Sequence, residues 1–189
     1  MFEARDNERR PSADPVSLDA RSHRIMLAGS ALIGLGIGIL LGTIAHPPKV
    51  RLLWNASASA PVGLYRIFPD APLQVGDMVA ARAPDGARQL AATRGYLPSG
   101  VPLVKQIAAT KGSQVCAMRA RIIVDGRTVA RRRKRDEQGR AMPWWTGCDR
   151  LQPGEVLLLN RPAGSFDSRY FGPVGKEAIV GKAVLLWQR

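Results

Sequence analysis

The sequence predicts a mainly β domain that follows one N-terminal transmembrane helix. Three observations lead to this prediction. An uncharged apolar run, 25–45, lies near the N-terminus; short β-type runs separated by Gly, Pro and Asp follow it; and the rest of the chain shows no long amphipathic helical pattern. At 189 residues the chain has room for an anchor and one domain with a real core, but not for two large domains.

The first element is the apolar run, which we predict to be a transmembrane anchor over residues 25–45. At about 1.5 Å per residue its helix would be roughly 31 Å long, enough to cross the hydrocarbon core of a bilayer. Five glycines in this run would be costly in a buried soluble helix and are common in membrane helices. A cleavable signal peptide is the alternative, because Thr43-Ile44-Ala45 has small residues at the usual spacing, but its apolar region is normally shorter. Residues 1–24, rich in charge, Pro and Ser, are predicted to be a disordered cytoplasmic tail.

Residues 46–189 form the predicted β-rich domain. Several runs in it combine β-branched or apolar residues with bounding turn residues, as strands do. They are Val62–Phe68, Asp77–Arg82, Leu103–Ala108, Arg121–Val124, Glu155–Asn160 and Ala178–Trp187. Turn signals between them favour antiparallel connections. These are Pro84-Asp85-Gly86, Asp125-Gly126 and Pro153-Gly154.

The domain is strongly basic. The formal charge of the chain is +13, and the excess falls after the apolar run. Such a surface suits nucleic acid, anionic lipid headgroups or an acidic protein, and charge alone does not choose among them. Residues 131–140 hold much of this charge and are predicted to be a basic loop.

Two cysteines, Cys116 and Cys148, both lie in this domain. In an oxidising compartment they could form a disulfide, which would close a loop of about 31 residues and stabilise the fold by roughly 3 to 4 kcal/mol. The alternative is a pair of buried reduced thiols. The disulfide is preferred because the anchor suggests export and no Cys/His cluster of the metal-binding kind competes for the pair.

Histidine is scarce, and this limits the chemistry. His23 lies in the tail and His46 at the predicted membrane boundary, so a Ser-His-Asp or Cys-His site has no histidine unless His46 folds back. Two histidines and two cysteines also argue against a zinc site. We therefore expect no metal and no cofactor, and a hydrolase would need a lysine or a carboxylate as its base.

Lys105 is the lysine best placed to act as such a base. It lies in the apolar run 101–108, where burial would disfavour its ammonium form and lower its pKa. From composition alone, a Lys105 that points outward from a half-buried strand is the better interpretation. Ser59 lies in a segment of small residues that would let a peptide backbone approach closely, although that segment by itself is typical of an ordinary loop.

Three blocks, in the right order, resemble the signal peptidase I clan and most closely its TraF-type branch, the conjugative-transfer signal peptidases. They are Asn55–Tyr65 around Ser59, Leu103–Val115 around Lys105, and Ser165–Val174 with its Asp-Ser-Arg-Tyr-Phe-Gly motif. The resemblance covers nearly the whole chain. Two positions depart from the clan pattern, where the usual Pro-Gly-Asp reads Lys111-Gly112-Ser113 and the usual Gly-Asp reads Leu159-Asn160-Arg161.

The resemblance implies a fold of coiled antiparallel β-sheets and a Ser/Lys catalytic site. By this resemblance Ser59 is the nucleophile, Lys105 the general base and Asp167 a third catalytic residue. A serine acyl-enzyme of this kind needs no metal and no cofactor.

The same resemblance implies three supporting residues. Ser57 would help the Ser59 N–H to stabilise the oxyanion, and Ser165 would hold the Lys105 amine. Arg169 would pair with Asp167 in a buried brace. A purely structural role for this ion pair is the alternative.

The resemblance also implies a substrate and a location. It predicts a single-pass serine endopeptidase of the bacterial inner membrane whose catalytic domain lies in the periplasm. Its partners would be the lipid bilayer and a membrane-inserted precursor, above all the pilin of a conjugative pilus. Water could hydrolyse the acyl-enzyme, or the pilin's own amino terminus could attack it to give a cyclic product. The sequence does not distinguish hydrolysis from cyclisation, and it does not indicate the oligomeric state.

Two alternatives stay open. One is a general type I signal peptidase that removes signal peptides from many exported proteins. The other is a non-enzymatic component of a conjugative transfer channel that binds DNA or lipid through residues 131–135. A run of like charges is more often a solvated loop, so nucleic acid is not the expected partner.

Overall fold

The computed structural model describes residues 16–45 and 49–189, and these fall into an N-terminal unit and a second unit that begins at Lys49. The N-terminal unit is one helix, α1, Val16–Ala45. Its part from Arg24 to Ala45 is long and apolar enough to span a membrane.

Helix α1 begins before the predicted start of the anchor at residue 25. Residues 16–24 are helical and not disordered, because they contain neither Gly nor Pro and include good helix formers such as Leu18 and Ala20. Adding residues to an existing helix costs much less than starting one. The rest of the predicted tail, 1–15, lies outside the described residues, and so does His46, whose folding back was the condition for a histidine site.

The second unit is built from two antiparallel sheets, which confirms the prediction of a mainly β fold. The larger sheet has the order β1-β2-β11-β3-β4-β9-β10, and the smaller one has the order β7-β6-β5-β8. The strands of the larger sheet are β1 (Leu52–Asn55), β2 (Gly63–Phe68), β3 (Met78–Ala81), β4 (Leu103–Ala109), β9 (Glu155–Leu159), β10 (Val174–Gly175) and β11 (Ile179–Gln188). Those of the smaller sheet are β5 (Gln114–Met118), β6 (Arg121–Val124), β7 (Arg127–Arg131) and β8 (Gly147–Arg150).

All the predicted strands are present, and the additional strands are β1, β5, β7, β8 and β10. The predicted turn at Asp125-Gly126 joins β6 to β7, and both residues have positive φ angles, 47° and 79°. Two successive positive φ angles are the geometry of a tight hairpin turn, for which Asp-Gly is a favoured pair. Glycine at the second position adopts it without steric cost.

One predicted turn is wrong, because Asp85 and Gly86 begin a helix, α2 (Asp85–Thr93). Pro84 occupies the N-cap position, where its missing N–H is no loss, and Asp85 places a negative charge in the first turn. Ala87 and Ala91 lie one turn apart on the buried face of α2. That face packs on a cluster that includes Phe166, so tertiary packing decides between turn and helix here.

The predicted basic loop 131–140 is wrong at its start. Arg131 belongs to β7, and the Arg132 side chain is only 3% exposed. The Arg132 guanidinium lies 3.8 Å from the centroid of the Trp144 ring and donates hydrogen bonds to the carbonyl oxygens of Arg119 and Trp145. Stacking on an indole face and bonding to backbone acceptors make burial of this charge tolerable.

Cys116 and Cys148 occupy directly paired positions on β5 and β8 and form a disulfide. The alternative of two reduced thiols does not describe this structure. The bond joins the inner strand β5 to the edge strand β8 of the smaller sheet, so the segment between the two cysteines is a closed covalent loop.

Strand β4 lies inside the larger sheet, between β3 and β9. Its side chains enter apolar clusters on both faces, Val104 on one and Ile107 on the other. Both side chains are buried. A residue on such a strand cannot easily reach bulk water, and this decides the environment of Lys105.

Candidate active site

Ser59 lies in the loop between β1 and β2, and the side chain of Asn55 organises that loop. The Asn55 amide donates hydrogen bonds to the carbonyl oxygens of Ser57 and Pro61, both at 3.0 Å, and its oxygen accepts one from the Ser57 N–H at 3.2 Å. Asn55 is buried, so these bonds are made away from bulk solvent. Ser59 itself is half-buried. The loop therefore holds its serine by side-chain bonds that replace a regular strand ladder.

Lys105 lies on β4 and is 2% exposed, so the interpretation of an outward-pointing lysine is wrong. Its Nζ donates a hydrogen bond to Ser59 Oγ at 2.9 Å and another to Ser165 Oγ at 2.9 Å. Ser59 and Ser165 are 46 and 60 positions away in the chain. The fold thus brings a buried amine into contact with two hydroxyl groups.

Burial is also the main cause of the unusual acidity of this amine. It lowers the pKa of Lys105 from 10.5 to about 8. The negative charge of Asp167 opposes this shift, and the positive charge of Arg169 adds to it. With a pKa of about 8, roughly a tenth of the amine is neutral at pH 7. A neutral lysine can accept a proton from a hydroxyl group, and an ammonium cannot.

Ser57 adds a second hydroxyl group beside the first. Its Oγ lies 3.0 Å from Ser59 Oγ and also accepts a long hydrogen bond, 3.4 Å, from the Ser59 N–H. The two donors that the sequence predicts for an oxyanion, the Ser57 hydroxyl and the Ser59 N–H, are therefore adjacent to the Ser59 oxygen.

Asp167 and Arg169 form a buried ion pair next to this group, with side chains 0% and 2% exposed. Asp167 Oδ1 accepts from Arg169 Nε at 2.7 Å, and Oδ2 accepts from Arg169 Nη2 at 3.0 Å. Asp167 is also the N-cap of the short helix α3 (Ser168–Phe171) and accepts from the Arg169 N–H. Among the described residues Asp167 makes no hydrogen bond to Lys105, so its effect on the amine is electrostatic and through the backbone that it braces.

Asn160 was not predicted from the sequence as a site residue, and there it is only part of a departure from the clan pattern. Its side chain is 8% exposed and bonds to both neighbours of Lys105 along β4. A signal was available in the sequence, because a lone carboxamide at the end of the apolar run 155–159 must find hydrogen-bond partners if it is buried. The identity of those partners could not be read from the sequence.

Two cavities meet at Ser59. The first, about 310 Å³, is lined by Asn55, Ser57–Ser59, Tyr96, Leu97, Pro102–Lys105, Glu137, Pro162 and Gly164–Phe166. The second, about 580 Å³, is lined by Ala58–Val62, Met78, Gln106, Asn160–Pro162, Gln188 and Arg189. Ser59 therefore lines both cavities. Residues 16–45 and 49–189 contain no group of His, Cys, Asp and Glu side chains that could hold a metal ion.

The chain matches one protein family, and it is similar to several named proteins. The signal peptidase family, peptidase S26, matches residues 24–188. A probable conjugal transfer protein TraF from Sinorhizobium fredii (strain NBRC 101917 / NGR234) is 35% identical, over 78% of this chain and 86% of that protein. A plasmid transfer protein TraF from Escherichia coli is 33% identical, over 82% and 93%. A solved signal peptidase I from Enterococcus faecalis V583 superposes with a TM-score of 0.34 at 17% identity, over 59% of this chain and 97% of that one.

Proposed function

Because the chain belongs to the signal peptidase S26 family, we propose that it is a membrane-anchored serine endopeptidase in which Ser59 and Lys105 form the catalytic dyad. One observation supports the dyad most directly. The buried Nζ of Lys105 lies 2.9 Å from Ser59 Oγ, within the range expected for a nucleophile and its general base.

The reaction follows from this contact. Neutral Lys105 takes the hydroxyl proton as Ser59 Oγ attacks the carbonyl carbon of the scissile peptide bond, and a tetrahedral oxyanion forms. The Ser59 N–H and the Ser57 hydroxyl stabilise that oxyanion. Lys105 then gives its proton to the leaving amine, the C–N bond breaks, and an ester between Ser59 and the acyl part of the substrate remains. Attack by water releases an acid, and attack by an amine makes a new peptide bond.

The surrounding residues fix the position of the amine. Ser165 accepts the second Lys105 hydrogen bond and limits rotation of the ammonium or amine group. The Asp167–Arg169 pair holds the segment that carries Ser165, since both residues lie within four positions of it in the chain. Ser165 and the ion pair are therefore proposed as supporting groups that do not themselves take part in proton transfer.

Activity should rise with pH through about 8. The active form needs the neutral amine, so below the pKa of Lys105 the value of kcat/KM should fall about tenfold per pH unit and should level off above it. The measurement is kcat/KM between pH 6 and 9.5 with an internally quenched peptide that carries an Ala-x-Ala site, the small-residue pattern at which signal peptides are cut. A profile that is flat, or that falls with rising pH over this range, would contradict Lys105 as the base.

For the substrate we propose a precursor that is held in the membrane, in particular the pilin of a conjugative pilus. Relatives at 30–36% identity are named as conjugal or plasmid transfer proteins, and α1 is apolar enough to span a membrane. The large sheet also exposes apolar side chains on β1 and β11, among them Trp54 and Trp187, which suit a bilayer surface. The corresponding location is the bacterial inner membrane with the catalytic domain in the periplasm.

The test is co-expression with candidate pilin precursors from the same transfer locus, followed by intact mass measurement of the pilin. Loss of a terminal segment is the expected result, and a further loss of one water would identify cyclisation. A secretory precursor expressed in parallel separates this proposal from a general signal peptidase, which would cut both. If no precursor changes mass in the presence of the folded, membrane-bound protein, the proposed substrate is wrong.

A further inference from the structure

We propose that Asn160 is a positioning residue for Lys105, in that its side-chain carboxamide continues the β4–β9 pairing past the end of β9. This inference rests on the proposed function, because it concerns the amine that we assign as the base. It concerns how that amine is held and not whether it is used.

The Asn160 side chain makes two hydrogen bonds to the backbone of β4. Strand β9 ends at Leu159, which pairs with Gln106. One residue further on, the Asn160 side chain replaces the backbone of β9 as the hydrogen-bond partner of β4. Its Oδ1 accepts from the Gln106 N–H at 3.1 Å, and its Nδ2 donates to the Val104 carbonyl at 3.0 Å. These two backbone groups flank Lys105 and point to the same side of the strand. The carboxamide therefore fixes the backbone on both sides of the lysine.

The backbone of Asn160 connects these two side-chain hydrogen bonds to the buried ion pair. The Asn160 N–H donates to Asp167 Oδ2 at 3.0 Å, and its carbonyl accepts from Arg169 Nη2. One residue thus joins the Asp167–Arg169 pair to the strand that carries the amine. A shift of the ion pair would be passed to Lys105 through these bonds.

An asparagine side chain meets this requirement because its NH2 group donates and its carbonyl oxygen accepts, as the N–H and C=O of a peptide group do. Alanine would leave the Gln106 N–H and the Val104 carbonyl without these partners. Aspartate would keep the acceptor, lose the donor and add negative charge close to the amine. The charged groups already near Lys105 are Asp167, Arg169 and, across the first cavity, Glu137, whereas β3 places the uncharged Val79 opposite it.

The main test uses the full-length protein in detergent and the Asn160→Asp variant. Competitive labelling of the Lys105 amine with acetic anhydride across pH, read by peptide mass spectrometry, reports the neutral fraction without any substrate. The added carboxylate should move the midpoint of labelling up by about one pH unit, so that labelling at pH 7.5 falls several-fold. The kcat for the Ala-x-Ala peptide should fall by a similar factor while KM changes little.

A second variant, Asn160→Ala, tests positioning without a new charge. Misplacement of a catalytic group by about 1 Å can cost 10²-fold in rate, so we expect kcat to fall by about 10- to 100-fold with KM nearly unchanged. Gln114→Glu is the matched control, because it adds a carboxylate to an exposed position on the smaller sheet, and it should leave both the labelling midpoint and kcat as in the wild type.

Two results would overturn the inference. One is an Asn160→Asp protein that is folded by its thermal transition and shows the wild-type labelling midpoint and kcat. The other is an Asn160→Ala protein whose Tm falls while kcat stays at the wild-type value below that Tm. If the wild type cleaves no peptide or precursor, the proposed function fails, but the labelling experiment still decides whether Asn160 controls the amine.

Discussion

Ser59→Ala should abolish cleavage of the precursor and of the Ala-x-Ala peptide, and Lys105→Ala should do the same. The first change removes the attacking oxygen, and the second removes the only amine within hydrogen-bonding distance of that oxygen in the described part of the chain. Loss of a nucleophile or its base typically costs at least about 10³-fold in kcat. Intact mass of the precursor and the rate of peptide cleavage measure both effects.

Lys105→Arg tests whether the lysine acts by accepting a proton or only through its charge and hydrogen bonds. Arginine keeps a positive charge and hydrogen-bond donors but does not give up its proton in proteins, so this variant should be as inactive as Lys105→Ala. Ser99→Ala and Lys111→Ala are matched controls on exposed positions and should cleave at the wild-type rate. If Ser59→Ala or Lys105→Arg retained a rate near that of the wild type, the dyad would have to be abandoned.

The second large effect concerns stability. Asp167→Asn keeps the shape of the side chain but leaves the Arg169 guanidinium buried without its counter-charge. Removal of one partner of a buried ion pair usually lowers the free energy of unfolding by about 3 to 5 kcal/mol. Urea denaturation followed by tryptophan fluorescence measures the change. Asp85→Asn, which breaks an exposed pair with Arg88, should cost less than about 1 kcal/mol under the same conditions.

The activity of Asp167→Asn separates a structural role from a direct one. The charge of Asp167 raises the pKa of Lys105, so its removal should lower that pKa and move the rise of kcat/KM to lower pH. A folded Asp167→Asn protein whose rate is lost at every pH would show that Asp167 acts in the reaction itself. Equal stability of Asp167→Asn and Asp85→Asn would contradict the assignment of a buried pair.

The larger sheet was largely readable from the sequence, because its main strands are apolar runs bounded by turn residues. The elements that were missed depend on packing. Helix α2 begins with Pro-Asp-Gly, a turn sequence, and becomes helical because Ala87 and Ala91 pack against an aromatic cluster. The edge strands β7 and β8 carry little apolar signal because their side chains are mostly exposed.

For the site, too, the motif residues could be predicted from the sequence, whereas their contacts could not. Ser59 and Lys105 were identified from local motifs, but the 2.9 Å contact between them joins segments 46 positions apart. The loop that carries Ser59 follows β1, and β1 is not a neighbour of β4 in the sheet, so local sequence does not predict this contact. Arg132 and Asn160 are polar side chains whose partners include Trp144 and Val104, which lie 12 and 56 positions away in the chain. A sequence shows that such a side chain exists, and only the folded chain shows what it bonds to.

The cross-link between β5 and β8 has a practical consequence for handling this protein. Between Cys116 and Cys148 the chain carries many exposed arginines, each a potential trypsin site. A cut there opens the backbone but leaves both pieces attached through sulfur. Such a nicked molecule would run as one intact band on a gel without thiol reagent and would separate into two fragments only after reduction.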